Sequence, residues 1–301
     1  MKLANLPSPA PSVPRDGWGR PIAVPKTGGR PRSLTRCTTF IDAIEDKAGL
    51  TTWKQRMVLV GASREPSLVS EAAPLSPETI EGRKRLDTIA ERAATVAGAH
   101  DKRERGTHLH DLSEYVDRGE PLPPSASRAD LADMAAYKEA TSILDVVAVE
   151  TFVVVDELSV GGTFDRMVRY FGPGPDGQPI SGLFIADLKT GRIESGLKIA
   201  AQLAVYSRGE LYDHRVFPVN DREKKELASW KRRAVPADLA KTAYAPMRAV
   251  SQDWGIVIHL PAGSGECSLH WADLRLGWEA AKAAQKTRAL RSKNRSALCP
   301  F

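Results

Sequence analysis

Residues 146–191 carry three apolar, β-branched runs in a chain whose other segments read largely as helix. The runs are VVAVETFVVV, LSVGGTFDRMVRYF and GLFIADLKTG, rich in Val, Phe, Ile and Thr. The connection between the last two, GPGPDGQPISG, is dense in turn formers and predicts an antiparallel hairpin. Helical patterns before and after the strands restrict the fold to an α/β or α+β class with a mixed central β-sheet flanked by helices.

Around this cluster the pattern is helical. Apolar spacing suggests short helices at Phe40–Ile44 and Trp53–Val60. A longer one follows, with Ser76 as N-cap and Pro77 at its first position. RGTHLHDLSEYVDRGE reads as another helix start, with Gly106-Thr107 before it, and SRADLADMAAYKEATSILD as a further helix. After the strands, GLKIAAQLAVYSRGELYD is an apolar helix, and WGIVIHLPAGSGECSLHWADL reads as a second hairpin turning at Gly263-Ser264-Gly265. The last helix is basic, with Lys282, Lys286, Arg288, Arg291, Lys293 and Arg295 and no acid after Glu279. Residues 1–33, rich in Pro and Gly and without periodicity, read as a flexible arm. Residues 34–301 then form a single domain, with a helical N-terminal part and a C-terminal hairpin plus basic helix.

Composition narrows the function classes. The 301 residues are 42% hydrophobic and 27% charged, with a net charge of +6. That charge suits a polyanionic partner such as DNA and equally a merely basic soluble protein. Cys37, Cys267 and Cys299 are far apart and form no CxxC pair, so they frame neither a zinc ribbon nor a cysteine-ligated cluster. No apolar stretch approaches the ~20 residues of a membrane span, and the N-terminus lacks a secretory apolar run. The expectation is a cytoplasmic protein with no membrane partner.

Charge inside the apolar strands is the chemical signal. Asp165 lies near one end of its run, and the partner run ends in Asp187-Leu188-Lys189. An ionised group in such a strand must find a partner or lose hydration at considerable cost. A hairpin can bring Asp165 and Asp187 together, and alternation puts Asp187 and Lys189 on one face. Two carboxylates suit Mg²⁺ or Mn²⁺, and the lysine can orient or deprotonate an attacking water. A surface hairpin with an ordinary Asp–Lys ion pair is the other reading of D-x-K.

Three further features bear on that choice. His110 and Glu114 share a helical face, so the imidazole can be one more metal ligand, or a solvated or capping histidine. Gln202 and Tyr206 are also one turn apart. They can hydrogen-bond a phosphate or base, with the ring as a stacking surface, or form a partly buried polar edge of an amphipathic helix. Glu150, placed at the start of the preceding strand, can aim at the same site or be an edge-strand charge.

In order, GTHLH, Glu150, GGTFD, DLKTG and QLAVY resemble the PD-(D/E)xK nuclease superfamily in its RecB-like, Cas4-like branch, as exonucleases of this kind occur in bacteriophages. The resemblance covers roughly residues 106–210. It implies a restriction-endonuclease-like core and a metal-dependent DNA exonuclease of recombination, replication or repair, working in the host cytoplasm if phage-encoded. His110, Asp165 and Asp187 would bind Mg²⁺ or Mn²⁺, with the Leu188 carbonyl as a further ligand. Lys189 would be catalytic beside the two aspartates, and Gln202 and Tyr206 would contact DNA. Family members with an iron–sulfur cluster use four cysteines, so no cluster is expected here. A single-strand annealing protein is the implied partner. A structure-specific endonuclease, or a non-catalytic DNA-binding accessory protein of the same fold, remains open.

Overall fold

The computed structural model describes residues 13–217, 219–220, 223–247, 249–293 and 297, without the side chains of residues 102 and 103. In chain order the elements begin with β1 (Ile22–Ala23), β2 (Arg32–Ser33), β3 (Thr35–Arg36), α1 (Cys37–Ile41), α2 (Ala48–Arg64), α3 (Ser67–Ala72) and α4 (Ile80–Val96). There follow α5 (Ala99–Arg118), α6 (Arg128–Ala140), β4 (Asp145–Val155), β5 (Val160–Pro173), β6 (Pro179–Lys189) and α7 (Gly196–Ser207). The last are β7 (Glu210–Tyr212), α8 (Lys224–Trp230), α9 (Ala237–Thr242), β8 (Tyr244–Pro246), β9 (Trp254–His259), β10 (Ser268–Asp273) and α10 (Leu274–Ser292). Among the described residues no helix is long and apolar enough to cross a membrane.

The chain forms two compact units where the sequence reads as one domain after residue 33. One joins Met1–Glu45 to Ser113–Phe301, and the other is Asp46–Leu112. The second unit is helical, containing α2, α3, α4 and the first part of α5. Inside it α2 and α4 touch closely, because Gly61 lacks the Cβ that would run into the Ala93 carbonyl. Helix α4 starts later than the sequence suggests. Thr79, not Ser76, is the N-cap, its Oγ1 accepting from Gly82 N–H at 3.0 Å, while Pro77 and Glu78 form the turn before it. Helix α5 runs through Gly106-Thr107 instead of starting there. A mid-helix glycine costs only about 1 kcal/mol, which the turns on either side absorb.

The larger unit is a mixed α/β structure with a central mixed sheet flanked by helices. The strand order is β10-β9-β6-β5-β4-β7-β8, with β3 on β5. The expected hairpins are present: β5–β6 and β9–β10 are antiparallel, and β6 runs parallel to β9. Asp133 of α6 holds the second hairpin's turn, accepting from Gly263 N–H at 2.8 Å and Gly265 N–H at 3.0 Å. The main core lies between the sheet and α1, α7 and α10, where Phe164, Ile185, Leu203, Val205, Leu274 and Ala281 are buried.

Residues 13–33 are not an arm. Ala23, Val24 and Leu34 are buried in a second core with Phe152, Val154 and Tyr212. Val24 N–H donates to the Tyr212 hydroxyl at 3.1 Å, and the Tyr244 hydroxyl donates to the Val24 carbonyl at 2.6 Å. The prolines and glycines remove periodicity but leave the Ile22-Ala23-Val24 triplet apolar enough to bury, and side chains satisfy its backbone groups. Residues 1–12 lie outside the described residues.

The basic helix is also partly committed to the fold. Arg288 donates to the Thr39 carbonyl at 3.4 Å and sits over the Phe40 ring, Arg291 donates to the Ala43 carbonyl at 3.5 Å, and Lys282 pairs with Glu279 at 2.6 Å. Arg295 and Cys299 lie outside the described residues. Helix α10 crosses α7 at Gly277, where a Cβ would stand 2.2 Å from the Ala200 carbonyl oxygen. Because backbone cannot yield as a side chain can, Gly277→Ala should cost about 1–3 kcal/mol. A melting temperature unchanged from wild type would show that the two helices can separate freely.

Candidate functional site

The β5–β6 hairpin brings Asp165 and Asp187 to one place, and local irregularity decides how. The ladder runs from Pro173↔Pro179 to Arg166↔Ala186 and ends there. On the same edge β3 covers only Val160 and Gly161. The intervening stretch of β5, ending at Asp165, has no strand partner on that edge among the described residues. The Asp165 carboxylate takes the next donor itself, with Oδ2 accepting from Leu188 N–H at 2.9 Å.

Strand alternation breaks at this point. Phe164 and Met167 share the main core although three positions apart, which a regular strand would forbid. On the neighbouring strand, Val149 pairs with Arg166 and Thr151 with Phe164, so Glu150 lies opposite Asp165. Glu150 has a φ of 43°, a left-handed conformation that glutamate adopts only under constraint. Glu150 therefore lies inside β4, not at its start as the sequence suggests. Its backbone kink stands beside the irregularity that turns Asp165 out of the pleat.

Asp187 is buried and held from two sides. Its Oδ1 accepts from Gln202 Nε2 of α7 at 3.2 Å. Its Oδ2 lies 2.5 Å from Lys189 Nζ, a charge contact without the angles of a hydrogen bond. Burial, and then the like charge of Asp165, push the Asp187 carboxyl up to about 7, while Lys189 pulls the other way without cancelling them. The Lys189 side chain is 30% exposed and that of Asp187 3%, so the pair reaches from the solvent side into the core.

Tyr206 does not have the predicted role. It is 4% exposed, with its ring against Phe164 and its edge where a Cβ on Gly162 would meet it at 2.8 Å. Buried this way, the ring has no face for a nucleic-acid strand, and it packs behind Gln202. Glu114 is ion-paired to Arg118 on its own helix. His110 belongs to the Asp46–Leu112 unit, whereas Asp165, Asp187, Leu188, Lys189, Gln202 and Tyr206 belong to the other.

Sequence reading passed over Arg166. Its side chain is 2% exposed, as is that of Asp117, whose Oδ2 accepts from Arg166 Nε at 2.6 Å. Ser113 Oγ accepts from the same guanidinium, the Tyr137 ring lies under it, and the Tyr137 hydroxyl donates to Asp117 at 2.7 Å. The signal was available, since Arg166 is a second charge next to Asp165 in an apolar strand.

Among the described residues no three His, Cys, Asp or Glu side chains gather as a ligand set. The donor chemistry is therefore the Asp165–Asp187 pair. Its buried Oδ2, lacking a hydrogen-bond donor and sharing space with a second carboxylate, fits a hard cation. Compared with known proteins, the chain matches no family model and no curated protein.

Asp187→Asn keeps the shape and the amide partner while removing the buried charge. A carboxyl whose folded pKa lies above its unfolded value contributes stability below the unfolded value and loses it as pH rises through the folded one. The substitution should therefore raise the melting temperature of chelator-treated protein most near pH 8, with the gain shrinking from about pH 7 towards pH 4. A gain independent of pH would place its origin elsewhere than in this charge.

Proposed function

We propose that the chain is a divalent-metal-dependent deoxyribonuclease with a restriction-endonuclease-like core, acting as an exonuclease at DNA ends in recombination, replication or repair. The observation that carries the reading is a buried Asp187 held beside Asp165, with Lys189 contacting its orphaned oxygen at the mouth of the same hairpin. A structural ion pair gains little from a second carboxylate that opposes it. A cation site needs that second carboxylate.

In this reading Asp165, Asp187 and the Leu188 carbonyl would hold Mg²⁺ or Mn²⁺. The bound cation would polarise the scissile phosphate and lower the pKa of water there. Gln202 fixes the rotamer of Asp187 through its Oδ1, and Tyr206 packs behind Gln202. Lys189 holds positive charge at Oδ2, and once a cation takes that oxygen the ammonium is available to orient the attacking water and offset developing charge. The sequence's net charge of +6 suits a DNA partner.

The test is release of acid-soluble nucleotides from linear duplex DNA with Mg²⁺ or Mn²⁺, beside covalently closed circular DNA and a chelator control. An exonuclease degrades the linear form only. Cutting of the closed circle would make the enzyme an endonuclease, and no metal-dependent release from either would leave DNA binding without turnover.

A further inference from the structure

An ordered turn carries the most exposed large apolar side chain among the described residues, Trp18, at 82% exposure. Arg15 bridges to Pro21, and Ile22 N–H donates to the Pro14 carbonyl at 2.7 Å, so residues 14–22 double back as a small hairpin. Asp16 closes its tip. Gly19 N–H donates to the Asp16 carbonyl at 2.8 Å, and the Asp16 carboxylate accepts from Trp18 N–H at 3.0 Å and Arg20 N–H at 2.9 Å. Gly19 has a φ of 72°, a left-handed conformation that glycine adopts at little cost. The turn leads into β1, whose Ala23 packs with Phe152 and Val154 of β4. The alternate residues Val153 and Val155 point to the core beneath α7, the helix whose Gln202 holds Asp187. The Trp18 turn thus belongs to a segment packed on the sheet face opposite α7.

The charge around the indole is cationic and only partly compensated. Within residues 13–36, Arg15, Arg20, Lys26, Arg30, Arg32 and Arg36 stand against a single acid, Asp16. Arg20 pairs with Asp16 at 2.8 Å, Arg32 with Asp156 at 2.6 Å, and Lys26 with Glu210. Arg15 and Arg36 have no acid partner among the described residues. Arg15 donates to the Gly19 carbonyl at 3.0 Å, which uses one of its five N–H groups and none of its charge. Arg36 lies on the same glycine, its Nη1 4.0 Å from where a Cβ on Gly19 would stand. Both guanidiniums therefore flank the residue that follows Trp18.

We propose that Trp18 is a stacking platform for an unpaired base of a nucleic-acid strand, with Arg15 and Arg36 on its phosphates, at a site separate from the Asp165–Asp187 pair. The inference goes beyond the nuclease reading and stands on the turn, whether or not the chain cuts DNA. An indole fixed by a turn loses little freedom when a base stacks on it, and any base offers a face to it. A protein partner or a membrane surface calls for neighbouring apolar side chains. Among the described residues the next exposed large hydrophobic along the chain is Leu50. One ring beside two uncompensated cations matches one base and its flanking phosphates.

The experiment measures binding of a fluorescein-labelled oligothymidylate to the full chain in EDTA, by anisotropy, beside an abasic oligomer of equal length and charge. Trp18→Ala should weaken binding to oligothymidylate by about tenfold, the scale of losing one stacked base, and Trp18→Phe by less. Neither should change binding to the abasic strand. Arg36→Gln should weaken binding to both strands alike and lower the salt slope by about one. Phe171→Ala removes a ring of 76% exposure on β5 and should leave binding within about twofold of wild type. Melting temperatures should match wild type in every variant, because each side chain is exposed. No binding by wild type, wild-type binding by Trp18→Ala, or an equal loss on the abasic strand would overturn the proposal. So would Trp18-dependent sedimentation with phosphatidylglycerol vesicles in place of strand binding, which would make the turn a membrane contact. A change of oligomeric state confined to Trp18→Ala would overturn it too, in favour of an interface between copies. Trp18-dependent binding by a protein that cuts no DNA would remove the nuclease reading and keep this site. Metal-dependent cutting by a protein whose strand binding ignores Trp18 would do the reverse.

Discussion

Lys189→Ala is expected to lower the single-turnover rate of DNA cleavage by ~10²-fold or more, the usual scale for losing one preorganised electrostatic or proton-transfer group. The structure sharpens what else should happen. Lys189 Nζ is the cation nearest the buried Oδ2 of Asp187, so a divalent ion and the ammonium compete for one oxygen. At pH 8 the variant should therefore bind Mn²⁺ as tightly as wild type or more so. Without metal it should melt lower than wild type, because a buried carboxylate has lost its counter-charge. With saturating metal that deficit should disappear. A purely structural lysine gives another pattern: the deficit persists with metal, and residual activity follows the folded fraction. Melting temperature with and without Mn²⁺, metal affinity and single-turnover rate on one preparation separate the two. A stable, metal-loaded variant cutting at the wild-type rate would remove Lys189 from the chemistry.

The strands and their hairpins were legible because period-two apolar patterning and turn-rich connections are local signals. The convergence of Asp165 and Asp187 followed from the same hairpin logic. The means of convergence did not, since it depends on Glu150 at positive φ and on a ladder that stops at Arg166↔Ala186, neither of which composition encodes. Tyr206 was misjudged for a related reason. Helical spacing places Gln202 and Tyr206 on one face, but only the missing side chain at Gly162 shows that the far end of that face is closed. Likewise, the N-terminal segment reads as an arm because prolines and glycines hide a buried triplet whose partners, Phe152, Tyr212 and Tyr244, lie far along the chain. Long-range partners of this kind leave no local pattern.

Arg166 shows what the hairpin needs on its other side, and it yields the largest stability effect expected here. Asp117→Ala should destabilise the protein by about 3–5 kcal/mol, because it leaves a guanidinium at 2% exposure without its carboxylate. The Tyr137 hydroxyl loses its acceptor at the same time. Burial works against the charged arginine, yet Asp117, with Asp165 and Tyr137, keeps it protonated and raises its pKa, so it cannot escape by neutralising. At this chain length the loss corresponds to a fall in melting temperature on the order of 10 °C. The double variant Asp117→Leu/Arg166→Met should recover most of it, since an apolar pair of similar size removes both desolvation costs. Activity should divide from stability in that double variant. Arg166 pairs with Ala186 across the last rung before Asp165 and Asp187, so its tie to Asp117 holds the strands where the carboxylates leave the ladder. The double variant should therefore be stable, bind metal more weakly and cut more slowly. Full metal affinity and activity in it would mean that the Arg166–Asp117 pair holds the fold and has no part in positioning the acids.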